Sequence, residues 1–338
     1  MMSLSKTWKR TWAATGISAA LLTFSVGLIT FTNCGKSEPI FAGETRQLEK
    51  TVNQILSSNN NETTPNKTSD DNATARSIVS NAALDATVSP APQKIRVLFI
   101  VGGHDYDKQS MERLLAWLSE SDEIKIDRTH LPENRSLLSP ELAKRYDCLI
   151  RYDQDQPTLS DEEMQSLNAL YEAGIGVIAL HHHIGAYSNR PDFWKTMGGY
   201  YVREGNKTVT GKDVPVSSWI DDVPMTIHIE NPLHPITKGM SDFDVVDEAY
   251  DNVYVDEKAT ILLSTDEPKA SPPVAWLWEN GNSPVFTFLL GHGPSAFENP
   301  DFRQILRNAI FYLSMETNNR RASMESLPET DQQDQNLY

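Results

Sequence analysis

A chain of 338 residues with a formal net charge of −16 is long enough to bury a full core. That charge argues against nucleic acid or an anionic membrane surface as a partner. Two cysteines, Cys34 and Cys148, exclude a disulfide scaffold and any metal site built on several thiolates, leaving an acidic body suited to a small-molecule ligand.

Lys6, Lys9 and Arg10 precede an apolar stretch from about Trp12 to Phe31, the order of an export signal. The stretch ends at Phe31-Thr32-Asn33-Cys34-Gly35, which resembles a bacterial lipoprotein signal, with Asn33 where a small residue is usual. Residues 1–34 are therefore expected to be a signal peptide or lipoprotein signal, leaving the body membrane-anchored or periplasmic. An uncleaved anchor is the alternative, since the run is near the lower limit for crossing a bilayer. Residues 35–93 are rich in Ser, Asn, Thr and Asp and read as a disordered tether. Membrane contact is expected only through the N-terminal anchor.

The body opens with Ile95-Arg96-Val97-Leu98-Phe99-Ile100-Val101, a strand buried on both faces, running into Gly102-Gly103-His104. Met111, Leu114, Leu115 and Leu118 have helical spacing, and Glu123 to Arg128 alternates as an outer strand. A short helix over Pro140 to Arg145, with Ser139 as its N-cap, precedes the strand Cys148-Leu149-Ile150, which leads to Asp153. Ser160-x-x-Glu163 is a capping box for a helix that Gly174 stops. The next strand, to Leu180, ends in His181-His182-His183. This β-α-β-α-β-α-β order predicts a parallel sheet with helices on both faces.

Beyond the histidines the chain is less regular. Strands are expected at Met225 to Ile229, Phe243 to Tyr250, Ile261 to Leu263, Val274 to Trp278 and Val285 to Leu290. Asn280-Gly281 marks a hairpin turn, and Gly291-His292-Gly293 ends the last strand. Asn299 caps a closing helix with Pro300 at its first position, expected to end near Leu313 before a disordered tail, residues 315–338.

Ligands of open α/β sheets bind outside the carboxyl ends of the parallel strands, and histidines on apolar strands are costly to bury without partners. His104, His181 and His292 all follow such strands. If strand geometry continues past Leu180, His181 and His183 share one face and His182 takes the other. Asp247 and Glu248 point to opposite faces, so one can enter the site as general acid or base or orient a histidine. Asp153 closes a strand on the same rim. His234, held between Pro232 and Pro235, is either a ligand contact or a turn-locking residue. Cys148 reads as a small core residue, and no Gly-x-Ser-x-Gly elbow is present.

The pieces Gly102-Gly103-His104, Leu180-His181-His182, Trp194 with Gly198-Gly199, His234-Pro235-Ile236-Thr237, Asp247-Glu248-x-Tyr250 and Gly291-His292-Gly293 stand in an order that closely resembles the trehalose-utilisation (ThuA-like) family. The resemblance covers residues 94–314. It implies the class I glutamine amidotransferase-like, flavodoxin-like α/β fold and an association with sugar or keto-sugar derivatives. Amidotransferase relatives place a cysteine nucleophile after the strand that here ends at Leu180; this chain has His181 there.

The resulting expectation is an exported sugar-active domain with His104, His181, His292, Asp247 and Glu248 as catalytic candidates. Gly103, Asp153, His182, His183, His234 and Tyr250 are candidates for ligand contact. A non-catalytic sugar-binding lipoprotein is the alternative. So is a metal-dependent hydrolase, because a divalent metal such as zinc accepts three histidines, or two with a carboxylate.

Overall fold

The computed structural model describes residues 94–154, 158–187, 190 and 192–326. The expected leader and tether, and the tail beyond residue 326, lie outside the described residues. No helix among the described residues is long and apolar enough to cross a membrane.

Unbroken apolar runs require cover on both faces, and the chain supplies it. The elements β1 (Ile95–Gly102), α1 (Lys108–Leu118), β2 (Ile124–Leu131), α2 (Glu141–Arg145), β3 (Cys148–Asp153), α3 (Asp161–Glu172) and β4 (Gly176–Leu180) alternate as expected. Asp107 caps α1 by accepting from the Ser110 N–H, and Ser160 with Glu163 forms a complete capping box on α3. The N-cap of α2 is Pro140 rather than Ser139, and no side chain caps it.

Short strands follow at β5 (Gly199–Tyr200), β6 (Lys207–Val209) and β7 (Lys212–Val214). Then come β8 (Ser218–Ile229), β9 (Phe243–Asp251), β10 (Tyr254–Val255), β11 (Thr260–Thr265), β12 (Pro273–Asn280) and β13 (Ser283–Phe288). The chain closes with α4 (Pro294–Glu298) and α5 (Pro300–Glu325). Asn299 caps α5 through the Asp301 and Phe302 amides. The helix continues well past Leu313, because Thr317 is still fully buried and donates to the Leu313 carbonyl while accepting from the Gly176 amide.

The main sheet runs β2-β1-β3-β4-β13-β12-β11-β8-β9. From β2 to β13 the pairings are parallel; from β13 outward they are antiparallel. The expected parallel half is thus extended by an antiparallel wing. Alternate residues separate two cores. Val97, Phe99, Val101, Ile150 and Phe288 pack with α1, α4 and α5, whereas Leu98, Ile100, Leu149 and Val177 pack with α2 and α3. The carboxyl ends of β1, β3, β4 and β13 meet on one rim, and β9 reaches that rim from the wing.

Candidate active site

Strand geometry does not continue past Leu180. His181 has φ +45°, a left-handed conformation that is strained for a residue with a Cβ and clusters at functional sites. A 3₁₀ turn over His181–Gly185 follows. The turn overturns the expected pairing of His181 with His183. Instead the rings of His181 and His182 lie 4.4 Å apart, centroid to centroid, and join one cluster. His183 Nδ1 lies 3.0 Å from the Asp153 carbonyl oxygen, to which it donates, and 3.4 Å from Asp153 Oδ1.

The cluster is built from three strand ends. His181 Nδ1 is 2.5 Å from the Leu289 carbonyl, which can only accept, so the proton sits on Nδ1 and Nε2 faces the site. His181 Nε2 is 3.3 Å from His292 Nδ1, 3.3 Å from Glu248 Oε1 and 3.0 Å from the Tyr250 hydroxyl. His292 Nδ1 is 3.4 Å from Glu248 Oε2. One donor atom from each of His181, His182, Glu248 and His292 lies within 4.8 Å of all the others. His182 Nδ1 is buried without a hydrogen-bond partner.

Environment sets the charges. Burial, reinforced by His181 and His104 beside it, holds the His182 imidazole far below its ordinary value and therefore neutral. Burial opposes the Glu248 charge, but the neighbouring His181 and His292 imidazoles prevail and keep its carboxyl well below the usual carboxylate range. The bond to Glu248 raises His292 in turn. Burial, and then Glu248, push the Tyr250 phenol well above its usual value, so it stays protonated and donates to His181 Nε2.

Asp247 and Glu248 do point to opposite faces of β9, yet both serve the same loop. Asp247 accepts from the Gly291 amide at 2.6 Å and the His292 amide at 3.1 Å, and thereby holds the turn that presents the His292 ring. Burial raises its carboxyl above the ordinary range. Gly291 takes φ +121° in this turn, a conformation open to glycine.

A cavity of about 300 Å³ opens above the cluster. His182, Glu248, Tyr250 and His292 face it, and Gln154, Tyr201, Arg203, Trp219 and Asp221 line its walls. His181 is fully buried and stands behind this floor. Arg203 donates from Nε to the Gly185 carbonyl at 3.2 Å, while its Nη2 is buried with no partner. A Cβ at Gly185 would sit 2.9 Å from that Nη2, so any larger residue there would push the guanidinium aside.

The other sequence candidates fall elsewhere. His104 packs its ring 3.9 Å from that of His182, and its nitrogens lie 2.9 Å from the Asp105 carbonyl and 2.7 Å from the Tyr152 carbonyl, to one of which a neutral ring donates. It stands beside His182, outside the cavity lining and outside the group of four donors. Gly103 is exposed at φ +75° and does not line the cavity. Asp153 is not on the rim: it is fully buried in an ion pair with Arg151 at 2.6 Å. Burial opposes its charge, and the Arg151 and His183 partners overcome that and hold its carboxyl far below the usual range. His234 locks its own turn, accepting from the Ile236 amide and packing on Tyr312 at 4.8 Å. Cys148 is fully buried, and burial pushes its thiol up, away from nucleophile chemistry.

Sequence reasoning missed Gln154, Tyr201, Arg203, Trp219 and Asp221. Trp219 and Asp221 lie on β8 at a register shift between Ile220 and Val223, where Asp222 takes φ +55°. Bulges of this kind re-aim side chains beside sites. Adjacent acids at Asp221-Asp222 within a strand were the one available signal.

The trehalose-utilisation family, ThuA, matches residues 96–313. The chain belongs to this family. A ThuA-like protein from Parabacteroides merdae is similar at 18% identity and TM-score 0.54, covering 66% of this chain and 90% of that one, and it shares the fold. A ThuA-like protein from Bacteroides uniformis is 19% identical with TM-score 0.49, covering 68% and 94%. A glutamine amidotransferase from Thermotoga maritima is 9% identical with TM-score 0.36, covering 66% and 99%. No curated protein sequence matches.

Proposed function

We propose that this ThuA-family domain is an enzyme acting on a keto-sugar or a glycoside of one by proton transfer, without a covalent nucleophile. The supporting observation is the His292–Glu248 pair, 3.4 Å apart, on the floor of a cavity walled by the exposed Trp219 and by Arg203. The wall suits a sugar, with an aromatic face for the ring and an unpartnered N–H for a substrate oxygen. At the floor, the Glu248 carboxylate takes a proton from the carbon next to the substrate carbonyl. His292 gives its proton to the carbonyl oxygen, so a C–H bond breaks, an O–H bond forms and an enediol results. Return of that proton to the former carbonyl carbon, with loss of the proton of the other enediol hydroxyl, isomerises the sugar. Elimination instead expels a substituent from the carbon β to the carbonyl as its protonated alcohol, while the enediol collapses back to the carbonyl. His181 and Tyr250 hold the pair from behind. The lipoprotein-type leader supports the further proposal that the chemistry takes place outside the cytoplasm, on an anchored or periplasmic body.

Incubation of the protein with a keto-disaccharide in deuterated water tests this reading. Deuterium is expected to enter next to the carbonyl, and His292→Ala and Glu248→Gln are expected to abolish the exchange. Saturable binding by calorimetry with no exchange on long incubation would instead support a binding protein.

A further inference from the structure

We infer that His181, His182, His292 and Glu248 form a binding site for a divalent transition-metal ion of the zinc type. The inference deepens the proposed function by naming a cofactor for the same centre. It rests on that reading only for what the ion would do, and not for whether the ion binds.

The geometry carries it. Metal–nitrogen and metal–carboxylate bonds of about 2.0–2.1 Å in a tetrahedral arrangement put neighbouring donor atoms about 3.3–3.4 Å apart. His181 Nε2 and His292 Nδ1 stand 3.3 Å apart, and the Glu248 carboxylate reaches both, with Oε1 3.3 Å from His181 Nε2 and Oε2 3.4 Å from His292 Nδ1. The separation that settles the matter is the one between the two imidazole nitrogens. His181 Nε2 is the unprotonated atom, since Nδ1 donates to Leu289; it meets His292 Nδ1 only at 3.3 Å, and its bond from the Tyr250 hydroxyl at 3.0 Å is the one an ion would displace.

His182 supplies the fourth donor, with one ring nitrogen within 4.8 Å of the other three ligand atoms, and its Nδ1 is buried without a hydrogen-bond partner. Burying an imidazole nitrogen unpaired is costly, and a ligated ion removes that cost.

The surroundings have the form of an outer shell that orients ligands. The Leu289 carbonyl fixes the His181 tautomer, and Asp247 holds the Gly291-His292 backbone through two amides. Three imidazoles and one carboxylate select a borderline ion such as Zn²⁺, Fe²⁺ or Co²⁺ over Mg²⁺ or Ca²⁺, which prefer oxygen ligands. With an ion bound through one Glu248 oxygen, the other oxygen would remain to take the proton, and polarisation of the substrate carbonyl would pass from His292 to the metal.

Binding is read directly with Co²⁺ as the probe. The full-length protein, stripped with a chelator and titrated with Co²⁺, is expected to develop visible d–d absorption that saturates at one ion per chain. Zn²⁺ should abolish the bands and Mg²⁺ should leave them unchanged. Glu248→Gln and His181→Ala are expected to weaken Co²⁺ binding at least about 100-fold, with His234→Ala, outside the cluster, binding like the unmodified chain. Should the cluster variants fail to fold, the cobalt-loaded unmodified protein still reports its ligands. Three paramagnetically shifted imidazole resonances are expected, and fewer overturn the assignment. Absence of d–d bands, or unchanged affinity in folded Glu248→Gln, also overturns it. Full deuterium exchange by metal-free protein would overturn the ion's part in the chemistry while leaving the proposed function standing.

Discussion

Two sides of one turn use the same residue type for opposite ends. His181 and His182 face Glu248 and His292 at separations of 3.3 Å or more, beneath an open cavity. His183, the next residue, belongs to a sealed assembly in which Asp153 is bound by Arg151 at 2.6 and 2.8 Å. The closed side has short, charge-assisted bonds between Asp153 and Arg151, although His183 Nε2 is itself buried without a partner. The open side has long contacts, an unpartnered imidazole nitrogen and room above it. Burial alone does not separate them, since His181 and His183 are both fully buried. What separates them is the carboxylate: Asp153 has a cation at 2.6 and 2.8 Å, whereas Glu248 meets its imidazoles at 3.3 and 3.4 Å beneath a cavity.

The largest expected effect is on the open side. Glu248→Gln keeps size and shape but removes the charge that pairs with His292. Exchange of the proton next to the substrate carbonyl should fall by about 10²- to 10⁴-fold, the usual range for loss of an acid–base group. The melting temperature should move little, because the histidines lose an imperfect partner rather than a sealed one. A large drop in melting temperature with retained exchange would erase the contrast.

On the closed side the pattern should invert. Asp153→Ala leaves the fully buried Arg151 guanidinium without its counter-charge, and breaking such a pair costs about 3–5 kcal/mol. Thermal unfolding reads the loss, while exchange per folded molecule stays within a small factor. The same pair gives a pH signature. The folded-state carboxyl is depressed, so the unfolded chain binds its proton first as pH falls from about 4. The pair's contribution is therefore complete above that pH and is lost as pH falls towards the folded-state value. In acid titrations followed by circular dichroism, Asp153→Asn should start less stable and lose less stability than the unmodified chain below about pH 4.

Much of the parallel half was legible because burial on both faces leaves an unmistakable apolar run, as in β1 and β4, and because Ser160 and Asn299 carry capping chemistry. Even the histidine rim followed from strand ends and glycines. The division within the triplet was not legible, since it depends on φ at His181, where the backbone turns left-handed and alternation ceases. Asp153 looked like a rim carboxylate because its partner Arg151, two residues back in a strand of otherwise apolar and aromatic side chains, gave no sign of folding over onto it. The cavity walls came from Arg203 and Trp219, whose positions depend on an antiparallel wing and a bulge rather than on any local pattern.

A smaller effect should come from Gly185→Ala, which crowds Arg203 Nη2 rather than removing it. The guanidinium must withdraw by a few tenths of an ångström or swing away from its buried position. If its free N–H binds a substrate oxygen, KM should rise with kcat nearly unchanged, and Arg203→Lys should show the same split. Unchanged KM in both variants would remove Arg203 from substrate contact.

The smallest effect is expected at Trp219, which is 57% exposed and so contributes little to the core. Trp219→Ala should leave the melting temperature unchanged. An aromatic contact of this kind contributes about 0.5–1.5 kcal/mol, so affinity for a sugar ligand should fall by roughly 2- to 12-fold. Trp219→Phe should restore most of it, because the stacking face is kept. The pairing of Trp219 with Tyr250 across β8 and β9 ties this outer ring to the residue that donates to His181. Calorimetric titration with a keto-disaccharide checks the size of the effect. A loss as large as that of Glu248→Gln would mean that Trp219 orders the floor through β9 instead of merely covering the ligand.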